Sequence, residues 1–282
     1  MNNCHINLRD LGFAILAPVC MILVQNSTYA IAIVLYGNNR DGVISSSLLS
    51  YMAIILVSVI VYIVYPWIYS GSADQNITAH KNRRKINITS FLRGFIVAVL
   101  LCASGISLQL FSTGILELID LHNPELLRSY RDMTSSSFSP DNGILRVFTV
   151  MFLAPIGEEL IFRGITLHSL HRAFSFKYST AAAVILSALF FGIFHGNVVQ
   201  FCYAFPAGIL LAALTEWSSS LLPGMFLHIV INTSGYLVES FSKLLPFSCT
   251  SVSFVTGAGV ICALCISLTY MLLTHTNSHK IS

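Results

Sequence analysis

Charged side chains are scarce in this chain of 282 residues: Asp, Glu, Lys and Arg together make up 10% of it. An ordinary soluble domain carries about 25%. Hydrophobic residues account for 55% of the sequence, and the mean hydropathy is +0.76. The chain also lacks a polar stretch long enough for a separate soluble domain. This composition excludes a soluble protein and indicates that the function lies in a membrane or at its surface.

A basic surface of the kind that binds nucleic acid is also lacking. The formal net charge is +3, and most Lys and Arg residues lie in loops, where they set membrane topology. The Cys residues lie mostly inside apolar runs, where a free Cys packs as a small hydrophobic side chain. Cys262 and Cys265 form a C-x-x-C without a second pair, so membrane packing is favoured over a metal or redox role.

Long apolar runs dominate instead. A helix needs about 20 apolar residues to cross the hydrocarbon core of a bilayer. Runs of roughly this length cover residues 11–36, 47–69, 91–116, 144–170, 178–198, 201–217, 221–241 and 251–273. The sequence therefore predicts an all-α fold, a polytopic membrane helix bundle with about eight transmembrane helices.

Two places in this pattern allow a second interpretation. Polar residues 25–28 interrupt the first run, so its first half could be the apolar core of a signal peptide. Only Arg9 precedes it and apolar residues resume at Ala30, which favours a membrane helix. Residues 218–220 alone separate the sixth and seventh runs, so this connection is either a tight hairpin or a short re-entrant turn.

Clustered basic residues predict the orientation. The polar stretch 70–90 holds four Lys and Arg residues at 81–85, and the positive-inside rule places it in the cytoplasm. This puts the N-terminus and the 171–177 connection inside and the 117–143 loop outside. Within that loop, Asn123 followed by Pro124 suits the start of a short surface helix.

Three charged residues interrupt the fourth apolar run, in the sequence PIGEELIFRGI at 155–165. A charge buried in hydrocarbon costs a few kcal/mol or more, so Glu158, Glu159 and Arg163 are functional candidates. Glu159 and Arg163 are four residues apart on one helix face, and this spacing predicts an ion pair. Glu158 lies about 100° around the helix from Glu159, which leaves it as the carboxylate that needs another partner.

Two histidines on other apolar runs offer such a partner. His195 is the second-last residue of the sequence LFFGIFHG and lies four residues after Phe191, whose ring could pack against the imidazole. His228 and Asn232 are four residues apart and project from one side of the seventh run. Each histidine taken alone is more often a packing residue than a catalyst. The combination with a spare carboxylate and an amide is what points to chemistry.

This set of side chains suits the hydrolysis of an amide by water. A glutamate can take a proton from water, neutral imidazoles can hold the water or a metal, and an Asn amide can donate to an oxyanion. Two His and one Glu are also a catalytic zinc set with an open fourth position. The sequence leaves both metal-activated and directly activated water open.

Motifs of other hydrolases are missing from the sequence. There is no H-E-x-x-H, which excludes the zincin architecture, and no G-x-S-x-G around the serines, which cluster in loops. The apolar runs hold no pair of aspartates of the kind that an aspartyl intramembrane protease needs. Glu216 and Glu239, near the ends of the sixth and seventh runs, are interpreted as helix-end residues.

Three motifs in order resemble those of the CAAX protease and bacteriocin-processing family, the relatives of the type II CAAX prenyl endopeptidase. EELIFRG resembles its E-E-x-x-x-R motif, FGIFH its F-x-x-x-H motif and HIVIN its H-x-x-x-N motif. We therefore divide one integral membrane domain into N-terminal transmembrane helices and loops (1–143), a catalytic core that carries the resemblance (144–240), and a C-terminal helix with its tail (241–282).

The resemblance implies an eight-helix bundle with an active-site cavity below the membrane surface and an endopeptidase activity. The implied catalytic residues are Glu158, His195, His228 and Asn232, supported by Glu159 and Arg163. Glu158 would activate the water, and the two histidines would position it or, together with Glu158, bind zinc. The Asn amide would stabilise the oxyanion. Members are described as metalloproteases or as glutamate-dependent enzymes, and both alternatives stay open.

The expected partners are a peptide or membrane-protein substrate and the lipid bilayer, with no nucleic acid. Eukaryotic relatives cleave prenylated CAAX proteins, whereas bacterial relatives are associated with peptide maturation, bacteriocin self-immunity or membrane-protein regulation. The short loops look bacterial, so we expect a multi-pass protein of a bacterial cell membrane with another substrate. The second hypothesis is a non-catalytic immunity factor or transporter in which the same polar residues hold helices together.

Helix rise places Glu158 and His195 at similar depths, nearer to the membrane face opposite the 171–177 connection. With that connection in the cytoplasm, the site would open to the outside, whereas the eukaryotic relatives act on cytosolic substrates. The sequence leaves the direction of opening undecided.

Overall fold

The computed structural model describes residues 5–36, 40–69, 88–128, 130, 143–244 and 251–278. These ranges are helical apart from short connections and one pair of two-residue strands, β1 (His5–Ile6) and β2 (Phe174–Ser175). The helices are α1 (Leu8–Tyr36), α2 (Arg40–Tyr69), α3 (Ile88–His122), α4 (Gly143–Phe148), α5 (Ala154–Glu159), α6 (His168–Ala173), α7 (Ser179–Phe194), α8 (Val198–Ser218), α9 (Leu222–Leu244) and α10 (Val252–Ser278). Residues 124–128 form one further helical turn.

Each predicted apolar run corresponds to helical structure. The polar residues 25–28 do not break α1, and α8 and α9 are joined by a short turn in which Ser219 is left-handed (φ 52°). The predicted surface helix is present at 124–128, where the Asn123 side chain accepts a hydrogen bond from the Leu126 N–H at 3.4 Å. The basic stretch predicted to be cytoplasmic lies, up to residue 87, outside the described residues.

Four of the described helices are long and apolar enough to cross a membrane. They cover Leu8–Ala32, Phe91–His122, Val198–Ser218 and Val252–Thr274. Large apolar side chains such as Val34 and Ile144 point outward, 83% and 85% exposed, whereas Ser104 and Ser187 are fully buried. Apolar side chains on the outside and small polar residues between the helices are typical of a protein surrounded by lipid rather than by water. The chain is a multi-pass membrane protein, and the number of about eight spans stays a prediction.

A single long helical rod carries the charged motif. Two π-helical segments, Thr149–Leu153 and Leu160–Leu167, join α4, α5 and α6 without a break in the right-handed backbone. We call this rod, residues 143–173, the site helix. It contacts α1, α2, α7, α8 and α9, so other helices surround the charged residues. Burial among helices, rather than exposure to lipid, is what makes charges tolerable at this depth.

The helices on the far side of the bundle pack closely through small residues. Helix α3 lies against both α9 and α10. A Cβ atom placed on Gly105 of α3 would lie 2.6 Å from Val230 Cγ1 of α9, so a side chain there would force this contact to shift. Small residues at such crossings let two backbones approach in lipid, where van der Waals packing drives helix association.

The strand pair fixes residues 5 and 6 to the end of the site helix, in a fold that is otherwise all-α, as predicted. Strand β1 pairs antiparallel with β2, and the Asn7 N–H donates to the Ala173 carbonyl at 2.8 Å. Asp10, 2% exposed, lies 3.6 Å from the Arg172 Nε. The start of α1 and the 171–177 connection therefore lie at the same end of the bundle.

Cysteine labelling tests this topology. In a cysteine-free background, Leu8→Cys and Lys177→Cys should react with a membrane-impermeant maleimide from the same side of the membrane, because both exposed positions lie at one end of the bundle. The control, Leu121→Cys at the far end of α3, should react from the other side. Labelling of positions 8 and 177 from opposite sides would contradict the fold.

Candidate active site

The predicted site residues converge from three helices. The site helix supplies Glu158 and Glu159 from α5 and Arg163 from the π-helical segment after it, His195 directly follows α7, and His228 and Asn232 lie on α9. Glu158, Glu159, Arg163 and His228 are all buried, with exposures of 6%, 0%, 2% and 5%. These four side chains form one polar cluster, whereas His195 and Asn232 lie at its border.

Glu159 and Arg163 form the ion pair that their spacing predicts. Arg163 Nη1 lies 2.8 Å from Glu159 Oε1, and both side chains are fully buried. Arg163 Nη2 also donates to the Gly208 carbonyl of α8 at 3.0 Å. The guanidinium lies over the ring of Phe191, 4.6 Å from its centroid, in a cation–π contact. The pair thus connects the site helix to both α7 and α8.

Glu159 also holds His228. His228 Nδ1 lies 2.9 Å from the same Oε1 atom that accepts from Arg163. An ionised carboxylate only accepts hydrogen bonds, so Nδ1 must carry the proton. In the neutral ring, Nε2 is then left with a lone pair. One glutamate oxygen therefore determines both the orientation of the imidazole and its tautomer.

Glu158 faces the other nitrogen of the same ring. Its Oε2 lies 3.7 Å from His228 Nε2, and its Oε1 lies 3.3 Å from the hydroxyl of Tyr51 on α2. The distance to Nε2 is too long for a direct hydrogen bond, and it is short enough for one water molecule beside the two atoms to contact both. Arg163 makes its close ion pair with Glu159 and attracts Glu158 only from a longer distance, which agrees with the predicted position of Glu158 on another side of the helix.

His195 shares an aromatic contact with His228. Its Nδ1 lies 2.8 Å from the Phe191 carbonyl, so this ring also carries its proton on Nδ1 and presents Nε2 as an acceptor. The rings of Phe191 and His195 meet edge to face at 4.9 Å, as their spacing predicts, and Phe191 meets His228 at 5.6 Å. Among the described residues His195 makes no direct polar contact with either glutamate.

Asn232 has a partner that the sequence analysis did not foresee. Its Nδ2 donates to the Val150 carbonyl at 3.0 Å. In the preceding π-helical segment the Ala154 N–H bonds to Thr149 rather than to Val150, and Pro155 has no N–H to offer. The Val150 carbonyl therefore lacks a backbone donor, and Asn232 supplies one. One amide hydrogen of Asn232 remains for another acceptor.

The side chains of the site are of the types that bind zinc, but they are not grouped as a zinc site requires. Both histidines present Nε2, and the Glu159–His228 contact is the kind of outer contact that orients a metal-binding imidazole. Yet in the described part of the chain no three His, Cys, Asp or Glu side chains are grouped so that they could hold a metal ion. Zinc held by Glu158, His195 and His228 therefore stays one of the two alternatives that the sequence leaves open, and no step below depends on it.

Glu216 does not join the cluster. It lies near the end of α8, as predicted, and its Oε1 is 2.7 Å from His171 Nε2 at a half-buried position. The side chain of Glu239 lies outside the described part of the structure. Tyr51 and Gly208 contact the cluster without having been predicted. Neither belongs to a recognisable motif, and both reach the site only through tertiary packing.

Comparison with known proteins gives one family match. Residues 140–234 match the family model described as Type II CAAX prenyl endopeptidase Rce1-like. The matched region is roughly a third of the chain and contains all six predicted site residues. The family resemblance inferred from the three motifs is therefore confirmed. No curated protein and no solved structure shows a significant match to the chain.

Loss of the buried arginine should destabilise the protein. Arg163→Met leaves the Glu159 carboxylate buried without its main counter-charge, so we expect a loss of on the order of 3 kcal/mol in unfolding free energy. The measurement is denaturant unfolding of purified protein in detergent. The control, Arg128→Met, removes a guanidinium that pairs with Glu125 on the surface, both about 70% exposed, and should leave stability almost unchanged. Equal effects of the two substitutions would contradict the buried ion pair.

Proposed function

We propose that this protein is an intramembrane endopeptidase that hydrolyses a peptide bond of a peptide or membrane-associated protein. The observation that carries the proposal is the pair of Glu158 and His228, whose Oε2 and Nε2 atoms lie 3.7 Å apart in a buried site. The match of residues 140–234 to a family of endopeptidases supports the same reaction class.

Water activation follows from the hydrogen-bonding roles of these two groups. The ionised Glu158 carboxylate and the Nε2 atom of neutral His228 are both acceptors, so a donor is needed between them. A water molecule can donate one hydrogen to each and keep an oxygen lone pair for attack. Glu158 takes a proton from the water while the water oxygen bonds to the substrate carbonyl carbon. When the C–N bond breaks, Glu158 returns that proton to the leaving amine.

The other site residues have supporting roles in this proposal. Glu159, held by Arg163, keeps His228 in the tautomer whose Nε2 can accept from the water. The remaining amide hydrogen of Asn232 is suited to the oxyanion that develops on the carbonyl. The Nε2 atom of His195 is the alternative acceptor to His228 Nε2 for the same water hydrogen. If zinc is bound, Glu158 and the two histidines would hold it, and it would supply Lewis-acid activation of the water.

The substrate class follows from the surroundings of the site. The cluster lies among membrane helices, so a substrate must reach it in or near the bilayer. The matched family is named for prenylated CAAX substrates. We propose instead a different peptide or membrane-protein substrate in a bacterial cell membrane, since prokaryotes generally lack prenylated CAAX proteins.

Substitution of Glu158 tests the proposal. Glu158→Gln keeps the size and hydrogen-bonding ability of the side chain but removes the base, so hydrolysis should fall by a factor of about 100 or more. The assay is cleavage of internally quenched hydrophobic peptides, with and without a prenylated CAAX end, by protein reconstituted in vesicles. Comparative peptidomics of cells with the native protein and with Glu158→Ala would identify natural products.

The matched control is Glu216→Gln, which makes the same chemical change at a half-buried glutamate outside the cluster and should preserve cleavage. Full activity of Glu158→Gln would reject the mechanism. If the biological function of the Glu158→Gln variant also persisted, this result would favour a non-catalytic immunity factor or transporter.

Chelation separates the two ways of activating water. The proposed mechanism uses protein groups and water alone, so we expect peptide cleavage to persist after prolonged treatment with a zinc chelator and removal of the chelated metal. Elemental analysis of the same sample would measure the remaining zinc. Loss of cleavage that added zinc restores would instead support the metal-dependent mechanism.

A further inference from the structure

We propose that Tyr51 is a positioning residue for Glu158, and that the active site therefore extends into the N-terminal helices. This inference rests on the proposed peptidase function. The Tyr51 hydroxyl lies 3.3 Å from Glu158 Oε1, across 107 residues of sequence. Tyr51 belongs to α2, outside the region 140–234 that matches the endopeptidase family.

Close packing brings the tyrosine to the glutamate. Tyr51 packs against an apolar core cluster that includes Phe162 and Phe191, both of which lie beside the polar cluster. A Cβ atom placed on Gly157 would lie 3.2 Å from Ile54 Cγ2 and 3.6 Å from Tyr51 Cδ1. The absence of a side chain at Gly157 therefore lets α2 approach the site helix one residue before Glu158.

The contact assigns different tasks to the two oxygens of Glu158. The phenol is the donor in this pair, because an ionised carboxylate only accepts. It occupies Oε1, so Oε2 is the oxygen that faces His228 Nε2 at 3.7 Å. Without the phenol the carboxylate could rotate about its last bond, since terminal torsions of this type are broad. Tyr51 thus holds Oε2 at the place where the proposed water loses its proton.

Gln25 of α1 is a polar neighbour of the Tyr51 side chain. When the phenol hydrogen points to Glu158, the phenol oxygen keeps its lone pairs for such a neighbour.

The test is the Tyr51→Phe variant, which keeps the ring in the core cluster and removes the hydroxyl alone. In the vesicle assay with internally quenched peptides, we expect kcat to fall about tenfold while KM stays within twofold, because a misdirected base slows the chemical step without changing substrate binding. A purely structural ring would leave both constants unchanged. The matched control, Tyr29→Phe, removes an exposed hydroxyl from α1 and should leave both constants at their native values.

The outcomes separate this inference from the proposed function. Peptides that the native protein cleaves in a Glu158-dependent manner, together with a Tyr51→Phe kcat within twofold of native, would overturn the role of Tyr51 and leave the peptidase intact. A raised KM with an unchanged kcat would also overturn it, because Tyr51 would then act in substrate binding. Unfolding curves of Tyr51→Phe that match the native curve would show that any loss of kcat is not a loss of fold.

Discussion

One oxygen of Glu159 organises the site, because it accepts from both Arg163 and His228. Arg163 also donates to the Gly208 carbonyl, so the site helix, α8 and α9 meet around a single buried contact. A buried ion pair offsets its desolvation only with good geometry and further hydrogen bonds. Here Gly208 and His228 supply such bonds, whereas Glu159 Oε2 and Arg163 Nε are buried without a hydrogen-bond partner within the residues that the structure describes. The tautomer of His228, the direction of its Nε2 atom and the distance from that atom to Glu158 all follow from this contact.

Adjacent glutamates acquire different chemistry from their surroundings. Glu159 is fully buried and lies within hydrogen-bonding distance of a guanidinium and an imidazole, so its charge is compensated. Glu158 has a phenol on one oxygen and an imidazole beyond direct hydrogen-bonding distance on the other. Titratable groups in contrasting environments are how proteins separate structural from acid–base roles. In this case the compensated carboxylate fixes the histidine, and the other carboxylate faces the imidazole nitrogen with which we propose that it shares a water.

Features that depend on residues close together in the sequence could be predicted. Apolar length located the helices, and the four-residue spacing of Glu159 and Arg163 predicted their contact, because both depend on neighbours along one helix. Tyr51 and the β1–β2 pair escaped prediction because they join segments far apart in sequence. The partner of Asn232 escaped for another reason. In a regular α-helix the Val150 carbonyl would accept from a backbone N–H four residues later. The π-helical segment and the missing N–H of Pro155 leave this carbonyl without a backbone donor, and Asn232 donates to it instead.

The central claim is that Glu158 and His228 act together on one water. A double-mutant cycle tests it most directly: kcat is measured for Glu158→Gln, for His228→Gln and for the protein carrying both substitutions. Residues that act as a unit give strongly non-additive losses. The account predicts that the double variant is no slower than the slower single variant. Losses that multiply would show two independent roles and would contradict the shared water.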